Sequence, residues 1–484
     1  MTRSISRKRF LRGSLVAVVL PLVAACGQAA SPAAPTAAPT VVSAKPTTAA
    51  TSPTAAPATA PTSAPKVAPT MLPSAATSPS AKASGTVIFT VPGGAAEDAD
   101  YKPMMEGFAK KYPNIKATYS PAGTGYTAEY NQKIETALAG NAAPDVFKTL
   151  VGFLGSFAER GVLKPLDAYV KGQPEETDLA GFFPAHVDAC KYKGQFYALP
   201  HDGAPQGMWY DVDMFKKAGL DLPTADWTMD QLLSAGKAMT KRDAQGRASQ
   251  FGLGPPLWLT WIWSFGGDIL DEEKQVCVVD QPPAIAALTW MQTATAKDKS
   301  SPLPAELRQI DSGKLFTTGR LGTMYAVRAT IANLLQVKDF TFDAAPIPTG
   351  KEKRLVQLYV GYSTMWSKAK DPDAAYTFLS YWTSAEGQRL RISRQGLGFP
   401  SRAALVDEDW YKNFHAPKAL DNRINTAFSD TLKRGEARAW PPHPKDNEIF
   451  SVFDKNLDAL FDGSRSPEQV AGQITTSINA LLKS

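Results

Sequence analysis

Cysteine and histidine are scarce in this sequence of 484 residues. There are three cysteines, and the four histidines lie at scattered positions: His186, His201, His415 and His443. A zinc site needs several such side chains at short, regular spacing, and no Cys-x-x-Cys pair occurs. We therefore expect neither a metal nor a cofactor.

Acidic residues are missing from the first 84 positions, which carry eight basic residues: Arg3, Arg7, Lys8, Arg9, Arg12, Lys45, Lys66 and Lys82. The formal net charge of the chain is +6, so residues 85–484 carry about −2 once these eight are set aside. The globular part thus lacks the basic excess typical of nucleic-acid-binding proteins, and we expect no nucleic-acid partner.

Residues 1–26 have the order of a bacterial export signal. A basic start is followed by an apolar run that is too short for a permanent membrane-spanning helix. The run ends at Val23-Ala24-Ala25-Cys26, which resembles the lipobox of bacterial lipoproteins. The alternative is an ordinary cleavage site with a chance cysteine. We expect a lipid on Cys26 that anchors the protein to the outer face of the cell membrane. Arg7-Lys8 stands where a twin-arginine signal has two arginines, so the export route stays open.

Residues 27–84 predict a disordered tether. Of these 58 residues, 48 are Ala, Pro, Ser or Thr, and 11 are proline. Such a composition has too few large apolar side chains to form a core. The globular part therefore begins near residue 85, and its length predicts two or more lobes.

Residues 85–160 alternate between apolar strand patterns and amphipathic helix patterns. This alternation predicts an α/β fold with a mainly parallel sheet. Ligands of such sheets bind at the carboxyl ends of the strands. The pattern therefore points to Gly93, after the first strand, and to Lys148 and Thr149, after the third. Asp145 precedes that third strand and is interpreted as structural.

The stretch 193–211 contains a strand that breaks at Pro200–Gly203 and then resumes. Such a break suggests a chain that leaves one sheet and enters another, although an ordinary loop is the alternative. His201 and Asp202 lie at this break. Polar and aromatic groups at a crossing between lobes are typical of a small-molecule cleft, so both are candidate ligand contacts. For Asp202 the alternative is a turn cap.

Several weak motifs then follow in a fixed order over nearly all of 85–484. Together they resemble the family 1 extracellular solute-binding proteins, the carbohydrate receptors of ABC importers. The motifs lie at Ala143–Val146, Gly194–Pro200, Trp209–Gly219, Trp227–Leu232, Ser264–Gly267, Phe316–Met324, Ala345–Pro348, Ala374–Thr383 and Phe399–Arg402.

The resemblance implies a two-lobe clamp of the periplasmic-binding-protein type with three crossings, near 200–203, 346–350 and 398–402. Lobe 1 would comprise 85–200 plus 350–398, and lobe 2 would comprise 203–345 plus 402–484, with the part after 402 helical. Closure would be a hinge motion driven by ligand contacts. The implied partners are a small-molecule solute and an ABC permease, and we expect a monomer. Cys190 and Cys277 fall in different lobes, so we expect two separate thiols.

Sugars present flat faces that suit aromatic rings and hydroxyl groups that suit polar side chains. Trp258 and Trp261, three residues apart, are candidates for stacking, and core packing is the alternative for each. The other candidate contacts follow a strand, begin a helix or lie at the third crossing: Tyr126, Arg328, Tyr362 and Arg402. Arg328 has two alternatives, an ion pair within the lobe or recognition of an anionic solute.

Two alternatives to a sugar receptor remain open. One is a receptor of the same fold for a non-sugar or anionic solute. The other is a secreted glycan-active enzyme, which would need a carboxylate pair or a nucleophile with a base. Neither Gly-x-Ser-x-Gly nor His-Glu-x-x-His occurs, so we expect no catalysis.

Overall fold

The computed structural model describes residues 83–123, 128–351, 353–393, 398–421 and 423–483. All of them belong to one compact unit, Pro73–Ser484. The predictions for the signal, for Cys26, for the tether up to residue 82 and for Tyr126 lie outside the described residues.

The strands alternate with helices through the first third of the unit, as predicted. In chain order the strands are β1 (Gly85–Thr90), β2 (Ile115–Tyr119), β3 (Val146–Thr149), β4 (Lys191–Tyr192), β5 (Gln195–Phe196), β6 (Ala198–Pro205), β7 (Gly207–Asp211), β8 (Lys241–Arg242), β9 (Ala248–Gln250), β10 (Leu270–Asp271), β11 (Val276–Cys277), β12 (Thr323–Ala326), β13 (Phe342–Ala345), β14 (Val356–Met365) and β15 (Ala437–Ala439).

The helices cover the sheets and form most of the C-terminal quarter. They are α1 (Ala95–Lys111), α2 (Ala128–Ala139), α3 (Leu154–Glu159), α4 (Asp167–Gly172), α5 (Pro174–Thr177), α6 (Pro184–Ala189), α7 (Val212–Lys217), α8 (Met229–Met239), α9 (Trp258–Ser264), α10 (Pro282–Gln292), α11 (Pro304–Leu307), α12 (Ser312–Thr317), α13 (Ile331–Leu334), α14 (Pro372–Thr383), α15 (Ala385–Ile392), α16 (Asp409–Lys412), α17 (Ile424–Lys433), α18 (Asp446–Phe461) and α19 (Pro467–Lys483). None of the helices in the described ranges is long and apolar enough to cross a membrane.

A six-stranded sheet forms the first layer. Its order is β15-β14-β3-β1-β2, with β6 paired to β14. Strands β1, β2 and β3 run parallel, and β14 runs antiparallel to β3 and β6. The ring of Phe89 packs against Phe378 and Trp382 of α14, with centroid distances of 5.0 and 4.4 Å. The predicted structural role of Asp145 is confirmed, because its carboxylate accepts from the backbone N–H groups of Ile88 (2.8 Å) and Lys370 (3.0 Å).

A three-stranded antiparallel sheet, β12-β7-β13, forms the second layer. Its central strand carries Trp209, which is fully buried against Phe342 and Phe428. The chain reaches this sheet directly from β6, with Gln206 alone between the two strands. The connection from the first sheet to the second is therefore a single residue.

The predicted strand break at 200–203 is wrong, because β6 runs without interruption from Ala198 to Pro205. Pro200 is tolerated because no strand pairs with β6 on its second side within the described residues. Pairing with β14 jumps from Asp202 to Pro200, so His201 is the extra residue of a β-bulge. Bulges turn a side chain away from the regular alternation, and they are common beside functional sites.

The chain passes from the small sheet to the large sheet between β13 and β14, which is where the crossing near 346–350 was predicted. The part after residue 402 is not wholly helical, because β15 pairs in parallel with the start of β14. The lobe limits 85–200 plus 350–398 and 203–345 plus 402–484 stay predictions. The expected separate thiols are confirmed, since Cys190 and Cys277 are both free and buried.

Candidate functional site

Asp202 lies at the centre of a cluster of charged groups beside the bulge. Its carboxylate is 3.1 Å from Nη2 of Arg391 and 3.4 Å from Nζ of Lys148. The side chains of these two cations are only 10 % and 5 % exposed, whereas that of Asp202 is 20 % exposed. Asp202 is thus the one member of this trio with appreciable contact to solvent.

The ionisation of the cluster follows from burial and from these neighbours. Burial opposes the charge of Asp202, but His201, Lys148 and Arg391 outweigh it and hold the pKa of Asp202 well below its usual value. Burial lowers the pKa of Lys148, and the attraction of Asp202 offsets part of that shift. The carboxylate is therefore the counter-charge of two buried cations.

His201 is fully buried and fixed on three sides. Its Nδ1 lies 2.8 Å from Oγ of Ser363, its ring stacks on Trp382 at 4.5 Å, and its Nε2 is 3.2 Å from Asp202. Burial lowers the pKa of His201 to about 3, although the carboxylate acts in the opposite direction. The imidazole is therefore neutral at neutral pH and serves to position Asp202.

One glycine makes this arrangement possible. A Cβ on Gly361 would lie 2.0 Å from Oδ1 of Asp202 and 2.7 Å from Cε1 of His201. Gly361 is the residue paired with Asp202 across the two strands. Only glycine therefore leaves room for the carboxylate beside β14.

The same face of β6 and β14 carries a strip of polar and aromatic side chains. Gln206 donates from Nε2 to Oε1 of Gln357 (3.4 Å) and to the hydroxyl of Tyr359 (3.3 Å), and its Oε1 accepts from Thr260 of α9 (2.5 Å). Tyr359 is 40 % exposed. We call Asp202, Gln206, Gln357 and Tyr359 the crossing-strand face.

The crossing-strand face combines the groups that a polyhydroxylated solute needs. It offers the ring of Tyr359 for a flat apolar face, and amides and a carboxylate for hydroxyl groups. The opposite side of β14 is apolar and buried, with Val356, Leu358 and Val360. One side of this strand therefore belongs to the core, and the other side carries the polar strip.

Among the predicted contacts, His201, Asp202 and Thr149 come together at the carboxyl edge of the large sheet. Thr149 follows Lys148 in β3, and its hydroxyl lies 2.9 Å from that of Thr364. Gly93 is buried at the end of β1, where its N–H donates to the carbonyl of Gly123. A ligand role for Gly93 and Thr149 stays a prediction.

The predicted aromatic contacts lie mostly in the core. Trp261 is fully buried, with Trp290 and Tyr325 around it at 5.7 and 4.9 Å. Tyr362 is 1 % exposed. Trp258 is partly exposed and stacks on Phe453 at 3.8 Å. In this conformation only Trp258 of the three offers a surface to a solute.

The two predicted arginines are also inside the protein. Arg328 is fully buried, donates to the carbonyl of Gly398 (3.0 Å) and lies over the ring of Tyr411. Arg402 is 2 % exposed and forms an ion pair with Asp178 at 2.6 Å. Both arginines join separate segments of the chain, Arg328 through a carbonyl and an aromatic ring and Arg402 through an ion pair. A ligand role for either arginine stays a prediction.

Gln206, Gln357, Tyr359 and Arg391 were not among the predicted contacts. The alternation Val356-Gln-Leu-Tyr-Val360 is a signal that could have identified Gln357 and Tyr359, because it predicts a strand with one polar side. Arg391 carries no comparable signal, since only the packing of α15 against the sheet brings it to Asp202.

A second buried histidine provides a test of the electrostatics around β6. Nε2 of His186 donates to the carbonyl of Gly203 (3.0 Å), and burial lowers the pKa of His186 to about 4. In the unfolded chain the pKa is about 6.5. The stability due to neutral His186 is therefore complete above about pH 6.5 and is lost as pH falls towards the folded value. The difference in free energy of unfolding between wild type and His186→Gln should shrink by about 2 kcal/mol from pH 7 to pH 5.

Urea denaturation at the two pH values measures this difference. His415→Gln, at an exposed position, controls for the loss of a histidine. Equal changes with pH in the two variants would contradict the prediction.

Comparisons with known proteins agree with this architecture. Residues 93–389 match the family model described as bacterial extracellular solute-binding protein. The maltotriose-binding protein of Pyrococcus abyssi is 25% identical over 380 residues, which cover 74% of this chain and 74% of that protein.

Two solved structures share the fold. The ABC substrate-binding protein from Listeria monocytogenes in complex with cycloalternan has a TM-score of 0.71 at 21% identity, over 83% of this chain and 99% of that one. UgpB from Mycobacterium tuberculosis in complex with glycerophosphocholine has a TM-score of 0.67 at 19% identity, over 83% and 99%. The predicted two-lobe fold is thus confirmed, and the chain belongs to the bacterial extracellular solute-binding proteins, the solute receptors of ABC importers.

Proposed function

We propose that this protein is a membrane-tethered receptor that binds a carbohydrate at the crossing-strand face and delivers it to an ABC permease. The observation that carries the proposal is the exposed ring of Tyr359 beside Gln357 and Asp202 on the strands that join the two sheets. The maltotriose-binding relative and the cycloalternan-bound structure support a carbohydrate as the solute.

The position of the crossing-strand face suits a clamp. Strands β6 and β14 belong to the large sheet, yet β7 and β13, their neighbours in the chain, belong to the small one. A solute that contacts both layers stabilises the closed arrangement through contacts that an open one lacks. Binding would thereby signal to the permease that the receptor is loaded.

Attachment to the membrane is proposed from the sequence. A lipid on Cys26 would hold the protein at the outer face of the cell membrane, and the Ala/Pro/Ser/Thr-rich segment 27–84 would let it reach the permease. We propose a monomeric receptor without catalytic activity.

An anionic solute is the second candidate, and the charges around Asp202 favour it. Two cations, Lys148 and Arg391, lie beside Asp202 at the edge of the crossing-strand face, where an anionic group of a solute could approach them. The structure of UgpB in complex with glycerophosphocholine shows that a protein of this fold can bind a solute with a phosphate group. Glycerol phosphate is therefore titrated beside the carbohydrates in the binding experiment.

We expect maltose or maltotriose to raise the melting temperature of the wild-type protein. At a concentration 100 times the dissociation constant the stabilisation is about 2.7 kcal/mol. Tyr359→Ala removes the exposed ring and should weaken binding about tenfold or more, as measured by calorimetry. Leu335→Ala, at a side chain that is 41% exposed outside the crossing-strand face, is the control and should leave affinity unchanged.

Three outcomes would count against the proposal. Stabilisation by glycerol phosphates and by no carbohydrate would establish the anionic candidate instead. Equal affinities of Tyr359→Ala and the wild type would place the solute elsewhere. Turnover of a glycan would contradict the receptor function itself.

A further inference from the structure

A cavity lies beside the small sheet, between α12 and the segment around α13. Its volume is about 340 Å³, and Met324 of β12 lies in its wall. It shares no lining residue with the crossing-strand face. We call it the α12–α13 pocket.

Four polar side chains line the α12–α13 pocket, and three of these residues, Lys314, Asn333 and Gln336, are exposed to solvent. The side chains of Lys314, Thr330, Asn333 and Gln336 make no hydrogen bond or ion pair with the described residues. Asn333 and Gln336 are three residues apart, so their amides share one side of the segment. Together the four groups supply an ammonium, a hydroxyl and two amides to one cavity.

Met324 and Leu334 form the apolar part of the wall, whereas Asp311 and Thr317 are polar. Met324 is 3% exposed and Leu334 is 1% exposed, so both are fixed in the core below the polar groups. A pocket with an apolar floor and a few polar groups that converge is the usual form of a small-molecule site. Its volume suits a ligand of one or two sugar rings rather than a polymer.

The charges of the pocket indicate a neutral ligand. Asp311 accepts from the backbone N–H of Lys314 at 2.9 Å, and the pocket is lined by one carboxylate, that of Asp311, and one ammonium, that of Lys314. Amides and hydroxyls both donate and accept, which matches the mixed donors and acceptors of a polyol.

We propose that the α12–α13 pocket is an accessory site for a neutral polyhydroxylated molecule, of the saccharide class. It is separate from the proposed solute site. The chain would therefore hold a second saccharide on the small-sheet side of the molecule while the crossing-strand face binds the transported solute.

Side-chain amide NMR of the full folded chain tests this proposal directly. Glucose, maltose and maltotriose are titrated in turn, and the amide signals of Asn333 and Gln336 are followed. At least one sugar should shift both signals along a saturating curve. The amides of Asn413 and Gln309, at exposed positions outside the pocket, are the controls and should not saturate.

Two variants make the result specific. Gly313 lines the pocket, and a Cβ there would meet only Oδ1 of Asp311, at 3.1 Å, so Gly313→Trp can fill the cavity. It should weaken the saturating response about tenfold or more. The double variant Asn333→Ala/Gln336→Ala, followed through the methyl signal of Met324, should do the same.

The outcome separates this proposal from the proposed function. Saturating shifts that persist in Tyr359→Ala would support an independent accessory site, even if the crossing-strand face bound no sugar. Shifts of Asn333 and Gln336 no larger than those of the controls, for all three sugars, would overturn it. An unchanged response in Gly313→Trp would overturn it as well.

Discussion

Asp202→Asn should lower the free energy of unfolding by about 3–5 kcal/mol, because it removes a carboxylate that pairs with two buried cations. Lys148 and Arg391 lie 3.4 and 3.1 Å from the carboxylate, and their side chains are 5 % and 10 % exposed. Neither cation can regain water without a shift of β3 or α15. Asparagine keeps the shape of the side chain, so the loss reports on charge rather than on a cavity.

The control for this variant is Asp407→Asn. Asp407 pairs with Lys433 at 2.9 Å, but the two side chains are 54 % and 43 % exposed. Solvent screens such a pair, and its loss should cost less than about 1 kcal/mol. Urea denaturation of both variants measures the difference, and equal costs would show that the Asp202 cluster is not a buried ion-pair network.

A further variant shows how much of the lost stability is due to Lys148. Lys148→Met in the Asp202→Asn background removes one of the two cations that lose the Asp202 carboxylate, and it should recover part of the stability. The pH dependence has a definite sign as well. The folded pKa of Asp202 is depressed, so its stabilisation is fully present above the pKa of an unfolded aspartate and is lost as pH falls through the folded value.

The local features of this fold could be predicted from the sequence. A threonine followed three residues later by glutamine is a sequence signature of a helix start. Thr228 and Gln231 form such a capping box, in which Thr228 accepts from the N–H of Gln231 and the amide oxygen of Gln231 accepts from the N–H of Thr228. Asp145 was expected to be structural, and it bonds two backbone groups. The cap depends on residues within three positions, where the sequence pattern is direct. The position of Asp145 before β3 suggested its role, although its two partners lie far away in the chain.

The bulge at His201 could not be predicted. Pro200 and Gly203 are residue types that usually interrupt a strand. The strand nevertheless continues, because β14 pairs with the residues on both sides of His201. Whether the chain breaks or bulges is decided by β14, about 160 residues later in the sequence. The sequence therefore placed the irregularity at the right residues, but it predicted a break where the strand forms a bulge.

The buried aromatic and arginine residues show the same limit. Trp261 and Arg328 are residue types that often contact solutes. The residues next to each of them in the sequence do not reveal whether the side chain is buried. The contacts of Trp261 with Trp290 and Tyr325, and of Arg328 with Gly398 and Tyr411, all join separate segments. The tertiary structure therefore decides whether such a residue faces a solute or the core.

Arg402 gives the sharpest test of this distinction. Its guanidinium donates to the carbonyls of Thr177 (3.0 Å), Asp178 (2.7 Å) and Thr383 (2.9 Å), and it pairs with the carboxylate of Asp178. These carbonyls end α5 and α14, where a cation is favourable. Burial lowers the pKa of Arg402 to about 10, so the group stays charged at neutral pH.

Arg402→Lys should therefore destabilise the protein by about 2–4 kcal/mol, because an ammonium cannot reach both helix ends and leaves buried carbonyls unpaired. Arg434→Lys is the control, since Arg434 makes only a loose pair with Asp430 at 3.9 Å on the surface, and it should change stability by less than about 0.5 kcal/mol. The two roles of Arg402 predict opposite results. A structural anchor loses stability and keeps its affinity for the solute once folded, whereas a ligand contact keeps stability and loses affinity. Calorimetric titration with maltotriose beside urea denaturation separates them, and a stable Arg402→Lys protein with weakened binding would restore the ligand role that the sequence suggests.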